Sequence, residues 1–218
     1  MIRLENVSKV WSLDGKRKVV ARGLSVTFPS NVSVGLLGRN GTGKSTLLRM
    51  IGGVMEPTSG RIVSTGSISP PVSFGGSFHG EMTGRQNVRF VGRIYGVDTD
   101  ELCAFVEDFA ELGVHFGLPV RTYSSGMRSR LAFGVSMGIG FDTYLIDEVT
   151  SVGDADFKAR CAEVLDERMK TSGAIVVTHS MAQIRRLCRS GAVLEDGRIT
   201  YYEDVEEAIA HHQANLAA

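Results

Sequence analysis

The 218-residue chain balances 24 Lys plus Arg against 24 Asp plus Glu, a formal net charge of zero, so it has no bulk electrostatic attraction for nucleic acid. Its 43% hydrophobic and 22% charged residues are those of an ordinary globular protein with ample core, arranged in one or two compact units. Three cysteines, Cys103, Cys161 and Cys188, lie far apart with no C-x-x-C, which excludes a disulfide framework and reads as reduced cytosolic thiols.

From the N-terminus, Met1-Ile2-Arg3-Leu4-Glu5-Asn6-Val7 alternates charged and apolar residues. That is a strand pattern and not a signal peptide. Trp11 follows in what reads as a polar loop, and Val19 to Phe28 is a second strand region closed by Pro29-Ser30-Asn31. Val32 to Leu37 is an apolar strand that runs into Gly38-Arg39-Asn40-Gly41-Thr42-Gly43-Lys44-Ser45-Thr46, and Leu47 to Ile51 is a helix. Pro57-Thr58-Ser59-Gly60 marks a turn before the short strand Arg61-Ile62-Val63.

Between Ser64 and His79 the chain turns to Gly, Ser and Pro, with Pro70-Pro71 and Gly75-Gly76, and reads as a long functional loop. Helical spacing resumes at Gln86 to Tyr95, then from Asp100 to Leu112 behind an Asp98 or Thr99 cap, then from Ser125 to about Met137. Leu131 to Phe141 is too short and glycine-rich to span a bilayer, so the chain is expected to be soluble and to meet any membrane through a partner. Tyr144-Leu145-Ile146 is a short strand ending in Asp147-Glu148, and Ala155 to Lys170 an amphipathic helix stopped at Ser172-Gly173. Ala174 to Thr178 is a buried parallel strand by composition, followed by His179 and by a helix from Met181 to Cys188. Asp196-Gly197 between two apolar runs signals a hairpin, and Asp204 caps a last helix. The fold class is therefore α/β: residues 1–72 and 139–218 form a nucleotide-binding core, and residues 73–138 an inserted helical part.

The run Gly38, Arg39, Asn40, Gly41, Thr42, Gly43, Lys44, Ser45, Thr46 fits G-x-x-x-x-G-K-[ST] between a strand and a helix. Its glycines let successive N–H groups turn inward to phosphate, and the helix N-terminus adds its dipole. Lys44 is expected on the β- and γ-phosphates of ATP and the Ser45 hydroxyl on Mg²⁺. Asp147, ending an apolar strand, is the second candidate Mg²⁺ ligand. Glu148 points the other way on the strand and is a candidate to polarise the attacking water; His179, at a parallel strand end, is a candidate donor to the γ-phosphate. His79, His115, His211 and His212 have no such placement, and the His211-His212 pair reads as solvated helix surface. Ser124-Ser125-Gly126-Met127 opens a helix as a second anion nest.

With these motifs in this order, the whole chain resembles an ABC-type ATPase subunit with a P-loop core and an inserted α-helical subdomain. The resemblance makes Ser124, Ser125, Gly126 and Met127 the signature, contacting ATP held by a second copy, so that two ATPs are sandwiched in a homodimer. It makes Ser151-Val152-Gly153-Asp154 the D-loop, with Asp154 its aspartate, and Trp11 the aromatic that stacks on adenine. Phe78 to Tyr95, Tyr123 to Gly134, Tyr144 to Asp154 and the Gly-Arg-Asn-Gly turn are most similar to the ATP-binding subunits of bacterial capsular polysaccharide export transporters. O-antigen and teichoic acid exporters share much of this, and many carry an added C-terminal domain for which this chain leaves no room. The resemblance implies a membrane-spanning permease that carries the polysaccharide, with the ATPase peripheral on the cytoplasmic face of the inner membrane.

Two departures stand out. Ser125 and Met127 replace the glycine and glutamine of the usual signature. The Q-loop glutamine is missing: its position falls at about Phe74, leaving Ser73 or a water to replace it, and Gln86, at a helix start, is a poor substitute. An ABC-type ATPase acting on DNA or ribosomes without a transporter would carry two ATPase units or a long coiled coil, neither of which is present. A P-loop kinase would lack the signature and the Asp-Glu/His pairing.

Overall fold

The computed structural model describes residues 1–13, 16–72, 78–147 and 154–217. By contacts, the described residues of Met1–Pro71, Phe141–Glu148 and Met169–Ala218 make one compact unit, and those of Val72–Gly140 and Val149–Arg168 another.

The first unit holds two sheets. β1 (Ile2–Leu13) pairs antiparallel with β2 (Lys16–Phe28) on one side and β4 (Ser59–Ser64) on the other. The larger sheet has six strands in the order β5-β6-β7-β3-β8-β9. They are β3 (Ser33–Leu37), β5 (Ile68–Pro71), β6 (Thr143–Asp147), β7 (Gly173–Val177), β8 (Ser190–Glu195) and β9 (Arg198–Tyr202). All neighbours run parallel except β9 on β8. β7 is buried along its whole length and β3 from Val34 onward, because both lie inside the sheet and are covered on both faces. The β8–β9 turn uses Asp196 (φ 47°) and Gly197 (φ 73°), both left-handed, as a two-residue hairpin requires.

Helix α1 (Lys44–Ile51) leaves the end of β3 and buries Leu47, Leu48, Met50 and Ile51. These join one apolar cluster with Leu36, Leu145, Ile175, Val177, Ala192 and Phe28. Helices α6 (Met181–Leu187) and α7 (Val205–Ala217) complete this unit, α7 contacting β8 and β3.

The second unit is helical. α2 (Gly84–Tyr95) opens with a capping box: Thr83 accepts from the Gln86 N–H while Gln86 accepts from the Thr83 N–H. α3 (Thr99–Ala110) is capped by Asp98, whose Oδ1 accepts from Asp100 and Glu101. α4 (Ser125–Gly138) is capped by Ser124, and α5 is Ala155–Met169. Buried Asn87 accepts from the His79 N–H and donates to the carbonyls of His79, Met82 and Thr83, tying the approach to α2 onto its first turn. The unit's core is aromatic. Phe109 stacks on Phe105 (5.8 Å) and Phe133 (5.5 Å) and meets Phe157 at 5.2 Å.

Four elements differ from the reading of the sequence. Trp11 is not in a loop but inside β1, paired with Lys18, because the antiparallel ladder with β2 continues past Val7 through register shifts. The Pro-rich stretch after Ser64 contains the edge strand β5, where prolines are tolerated because only one side of the strand is paired. Helix α5, assigned by sequence order to the core, groups with the helical unit through Phe157 on Phe109 and through Arg160, which bridges Asp108 and Glu111. His212 is the fourth difference: it is buried and not solvated, because it follows Val205, Ala208 and Ile209 on the face of α7 turned to the sheet. Among the described residues no helix is long and apolar enough to cross a membrane.

Phe109 is 2% exposed and sits among three other phenyl rings. Phe109→Ala is expected to destabilise the helical unit by about 3–5 kcal/mol, lost ring contacts adding to the cavity term. Urea unfolding followed by circular dichroism measures it; a loss below about 1 kcal/mol would show that this ring does not organise the unit.

Candidate functional site

The carboxyl ends of β3, β6 and β7 lie side by side, and the candidate residues follow them. Asp147 is the last residue of β6 and is in register with Val177, the last of β7. Thr178 and exposed His179 come next, and Gly38 follows β3. In an open parallel sheet this edge is where ligands bind.

The 38–46 turn is held by its glycines. Gly38 has φ 150°, Gly41 78° and Gly43 108°. A Cβ on Gly43 would stand 2.0 Å from Val20 Cγ1, and one on Gly38 would stand 2.3 Å from the Leu194 carbonyl oxygen. Both positions therefore need glycine twice over, for backbone angle and for space. Thr42 donates its hydroxyl to the Arg39 carbonyl at 2.9 Å, and Lys44 Nζ donates to the carbonyls of Gly38 (2.6 Å) and Arg39 (3.1 Å). Lys44 is thus folded back across the mouth of the turn.

The start of α1 differs from the other helix starts in the two units. α2, α3, α4 and α6 are each capped by a side chain, from Thr83, Asp98, Ser124 and Ser180 respectively. α1 begins at Gly43 with no side-chain cap, so its first N–H groups are open to solvent or to a bound anion. A glycine turn no Cβ can enter, an uncapped helix start and an ammonium group beside them fit a phosphate chain. Ser45 is exposed and Asp147 half-buried, and both offer oxygen, the donor type Mg²⁺ prefers.

A cleft of about 380 Å³ runs from this turn to α6 and α7, lined among others by Gly38, Arg39, Asn40, Lys44, His179 and His212. The reading of the sequence missed His212. The signal was present in the spacing: Val205, Ala208, Ile209 and His212 fall on one helical stripe. His211 faces elsewhere, its Nδ1 2.9 Å from the Tyr202 hydroxyl.

Trp11 is 45% exposed on β1, with Lys9 Nζ 5.0 Å from its ring centroid. Glu148, the 151–153 part of the D-loop and the Q-loop position near Phe74 lie outside the described residues. Gln86 is committed to the α2 capping box, in keeping with its dismissal as a Q-loop substitute.

In the helical unit, Ser124, Ser125 and Gly126 are exposed at the start of α4, with Met127 half-buried. Ser124 Oγ accepts from the Met127 N–H at 3.2 Å. Just before them Tyr123 is buried and donates its hydroxyl to the His115 carbonyl at 2.6 Å, which anchors the turn. Asp154 is tied to the same helix: its Oδ2 accepts from Arg130 of α4 at 2.9 Å, and its Oδ1 from the Phe157 N–H. Arg130 also lies over the Phe157 ring, 4.3 Å from its centroid. The Phe157 N–H first, and then Arg130, hold the Asp154 carboxyl below its ordinary value of 3.8. Arg130 was not singled out from the sequence, and nothing in its local spacing would have done so.

Fold and site together define a P-loop nucleotide-binding domain. The family profile described as ABC transporter matches residues 21–151. The chain belongs to the ABC transporter family, whose ATP-binding subunits hydrolyse ATP. It is 47% identical to the polysialic acid transport ATP-binding protein KpsT of Escherichia coli over 98% of this chain and 96% of that one. It is 44% identical to the capsule polysaccharide export ATP-binding protein CtrD of Neisseria meningitidis serogroup B over 98% and 99%. O-antigen export ATP-binding proteins of Myxococcus xanthus and Klebsiella pneumoniae are more distant, at 37% and 34%. Among solved structures, a post-hydrolysis dimer of the ATP-binding cassette MJ0796 bound to ADP and Pi shares the fold, with TM-score 0.78 at 20% identity over 94% of this chain and 99% of that one.

Two outcomes follow from this geometry. Gly43→Ala is expected to abolish nucleotide binding, read by titration with a fluorescent ATP analogue, because its Cβ would clash with Val20; unchanged affinity would remove the turn from the site. Asp154, with a depressed folded pKa, stabilises the fold above about pH 3.8 and ceases to do so as pH falls through its folded value. Asp154→Asn should therefore lose part of the acid-side slope in stability measured by thermal melts across pH. An unchanged slope would mean the carboxylate is not anchored as described.

Proposed function

We propose that this chain is the ATP-hydrolysing subunit that powers export of a lipid-linked capsular polysaccharide across the inner membrane, working as a homodimer with a membrane-spanning permease. The observation that carries this reading is the similarity, along nearly the whole chain, to proteins named for polysialic acid transport and capsule polysaccharide export. The greater distance of the O-antigen proteins favours the capsule branch.

In this reading the N–H groups of the 38–46 turn and the uncapped start of α1 hold the phosphates of ATP. Lys44 exchanges its bonds to the Gly38 and Arg39 carbonyls for phosphate oxygens, so the empty and filled turns each satisfy the ammonium. Ser45 and Asp147 would hold Mg²⁺, which would supply charge neutralisation at the phosphates. Glu148 accepts hydrogen from the attacking water and His179 donates to the γ-phosphate. Ser124, Ser125, Gly126 and Met127 of a second copy close over that phosphate, with Asp154 beside them, and Trp11 packs on the adenine. Closing on two ATPs and reopening after hydrolysis supplies the motion that the permease transmits.

The chain works from the cytoplasmic face of the inner membrane, held there by the permease. Support for a protein partner comes from α2, where Phe90 and Ile94, one turn apart, are 51% and 64% exposed.

Glu148→Gln is expected to bind ATP normally and lose turnover by about 100-fold or more in a phosphate-release assay. Normal hydrolysis would take the catalytic role from Glu148. Ser124→Arg and Lys44→Ala should each inactivate a homodimer, and mixing the two should restore one intact shared site. Mixtures no more active than either parent would count against sites shared between copies. Co-purification from membranes with a permease supports export, and recovery with nucleic acid or ribosomes instead would overturn it.

A further inference from the structure

The buried face of α7 carries Val205, Ala208, Ile209 and His212. Three of these are apolar and pack toward the sheet. The fourth is an imidazole, 8% exposed, whose Nδ1 is enclosed and meets no hydrogen-bond partner among the described residues. A buried polar nitrogen left unsatisfied costs stability, and an apolar residue would fit this stripe without that cost. An enclosed N–H without an acceptor is worse than an enclosed lone pair without a donor, so the ring's proton belongs on Nε2. Burial first, and the nearby Lys44 cation second, hold the imidazole toward its neutral form; the Glu195 carboxylate acts in the opposite sense and His211 in the same sense as Lys44.

His212 is also a wall of the cleft that Gly38, Arg39, Asn40, Lys44 and His179 line. Beside the apolar Leu36, Leu37, Met181 and Leu216, that wall carries two cations, Arg39 and Lys44, and a glycine turn, groups that gather around a multi-oxygen anion. A neutral imidazole with its proton on Nε2 adds one directed donor to that set.

We propose that His212 is a phosphoryl-binding residue, its Nε2–H donating to a phosphoryl oxygen on the α7 side of the cleft, beyond Lys44. The proposal rests on reading the 38–46 turn as an ATP site. The phosphoryl group has two sources, the terminal phosphate of bound nucleotide or free phosphate after cleavage.

The test follows the imidazole nitrogens of His212 by NMR in the full chain, with three additions: MgADP, MgADP with inorganic phosphate, and the magnesium complex of an ATP analogue with a β,γ-imido bridge. His212→Phe supplies the assignment and the affinity comparison. The expected result is an Nε2 shift absent with MgADP alone. Its appearance with the analogue identifies the terminal phosphate as the ligand, and its appearance with MgADP and inorganic phosphate identifies the free product. In His212→Phe the affinity for that same probe should fall about tenfold, with MgADP affinity unchanged, and His212→Gln, which keeps a donor, should recover part of the loss. Nitrogens that respond to neither probe while MgADP binds, or a phenylalanine variant that binds the probe as tightly as the parent, would overturn the assignment while leaving the ATP site intact. Failure of MgADP to bind the parent protein would instead remove the ATP site, and this assignment with it. If His212→Phe does not fold, His212→Gln supplies the assignment, and the response of the parent's nitrogens decides the matter.

Discussion

The nucleotide-binding unit depends on one constraint: there is room for backbone only where Gly43 passes Val20 and where Gly38 passes the Leu194 carbonyl. Gly38 and Gly43 pass through those spaces at positive φ, and the turn between them cannot relax into an ordinary loop. Everything useful about the site follows from that. The turn brings Lys44 back over its own carbonyls, and it starts α1 on a residue with no side chain to cap it. N–H groups at a helix start with no side-chain cap remain open to an outside acceptor, so the geometry is suited to an anion. The clamp is built by residues far away in sequence: Val20 belongs to the antiparallel sheet and Leu194 to β8 on the parallel one.

The position of β3 inside the larger sheet extends this constraint to the other groups. With β7 on one side and β8 on the other, β3 cannot slide without breaking two ladders and exposing a face that is buried along Val34–Leu37. The register of β6 on β7 then sets Asp147 level with Val177, one short step before Thr178 and His179. The candidates for metal and γ-phosphate, Asp147 and His179, thus stand at one edge because three parallel strands end together. α7 enters the same region by packing on β8 and β3, and carries His212 with it.

The helical unit uses a different physics. Its core is a group of phenyl rings, and its rim is a set of arginine–carboxylate pairs in which Arg130 and Arg160 both reach Glu111. Single exposed pairs contribute little. Here the guanidinium of Arg130, also stacked on Phe157, is only 18% exposed, so it acts as a fixed strut. It joins the helix that begins at Ser124 to Asp154. These two stretches are separate motifs in sequence and one piece in the folded unit.

Much of this was legible in the chain itself. The strand–glycine–lysine–helix order around Gly38 to Thr46, Asp147 at the end of an apolar strand, the Asp98, Ser124 and Asp204 caps and the Asp196-Gly197 hairpin are all local patterns, set by residues within a turn or two of one another. Such patterns survive reading one residue after another because the interactions that enforce them are short in sequence. Four features depended on tertiary contact. Trp11 became part of β1 because β2 pairs that far, β5 formed because β6 offered it a ladder, α5 joined the helical unit because Phe157 reaches Phe109, and His212 was buried because the inward face of α7 meets β8 and β3. Composition and spacing decide what an element is, whereas its surroundings are decided by chain that is distant in sequence and adjacent only after folding.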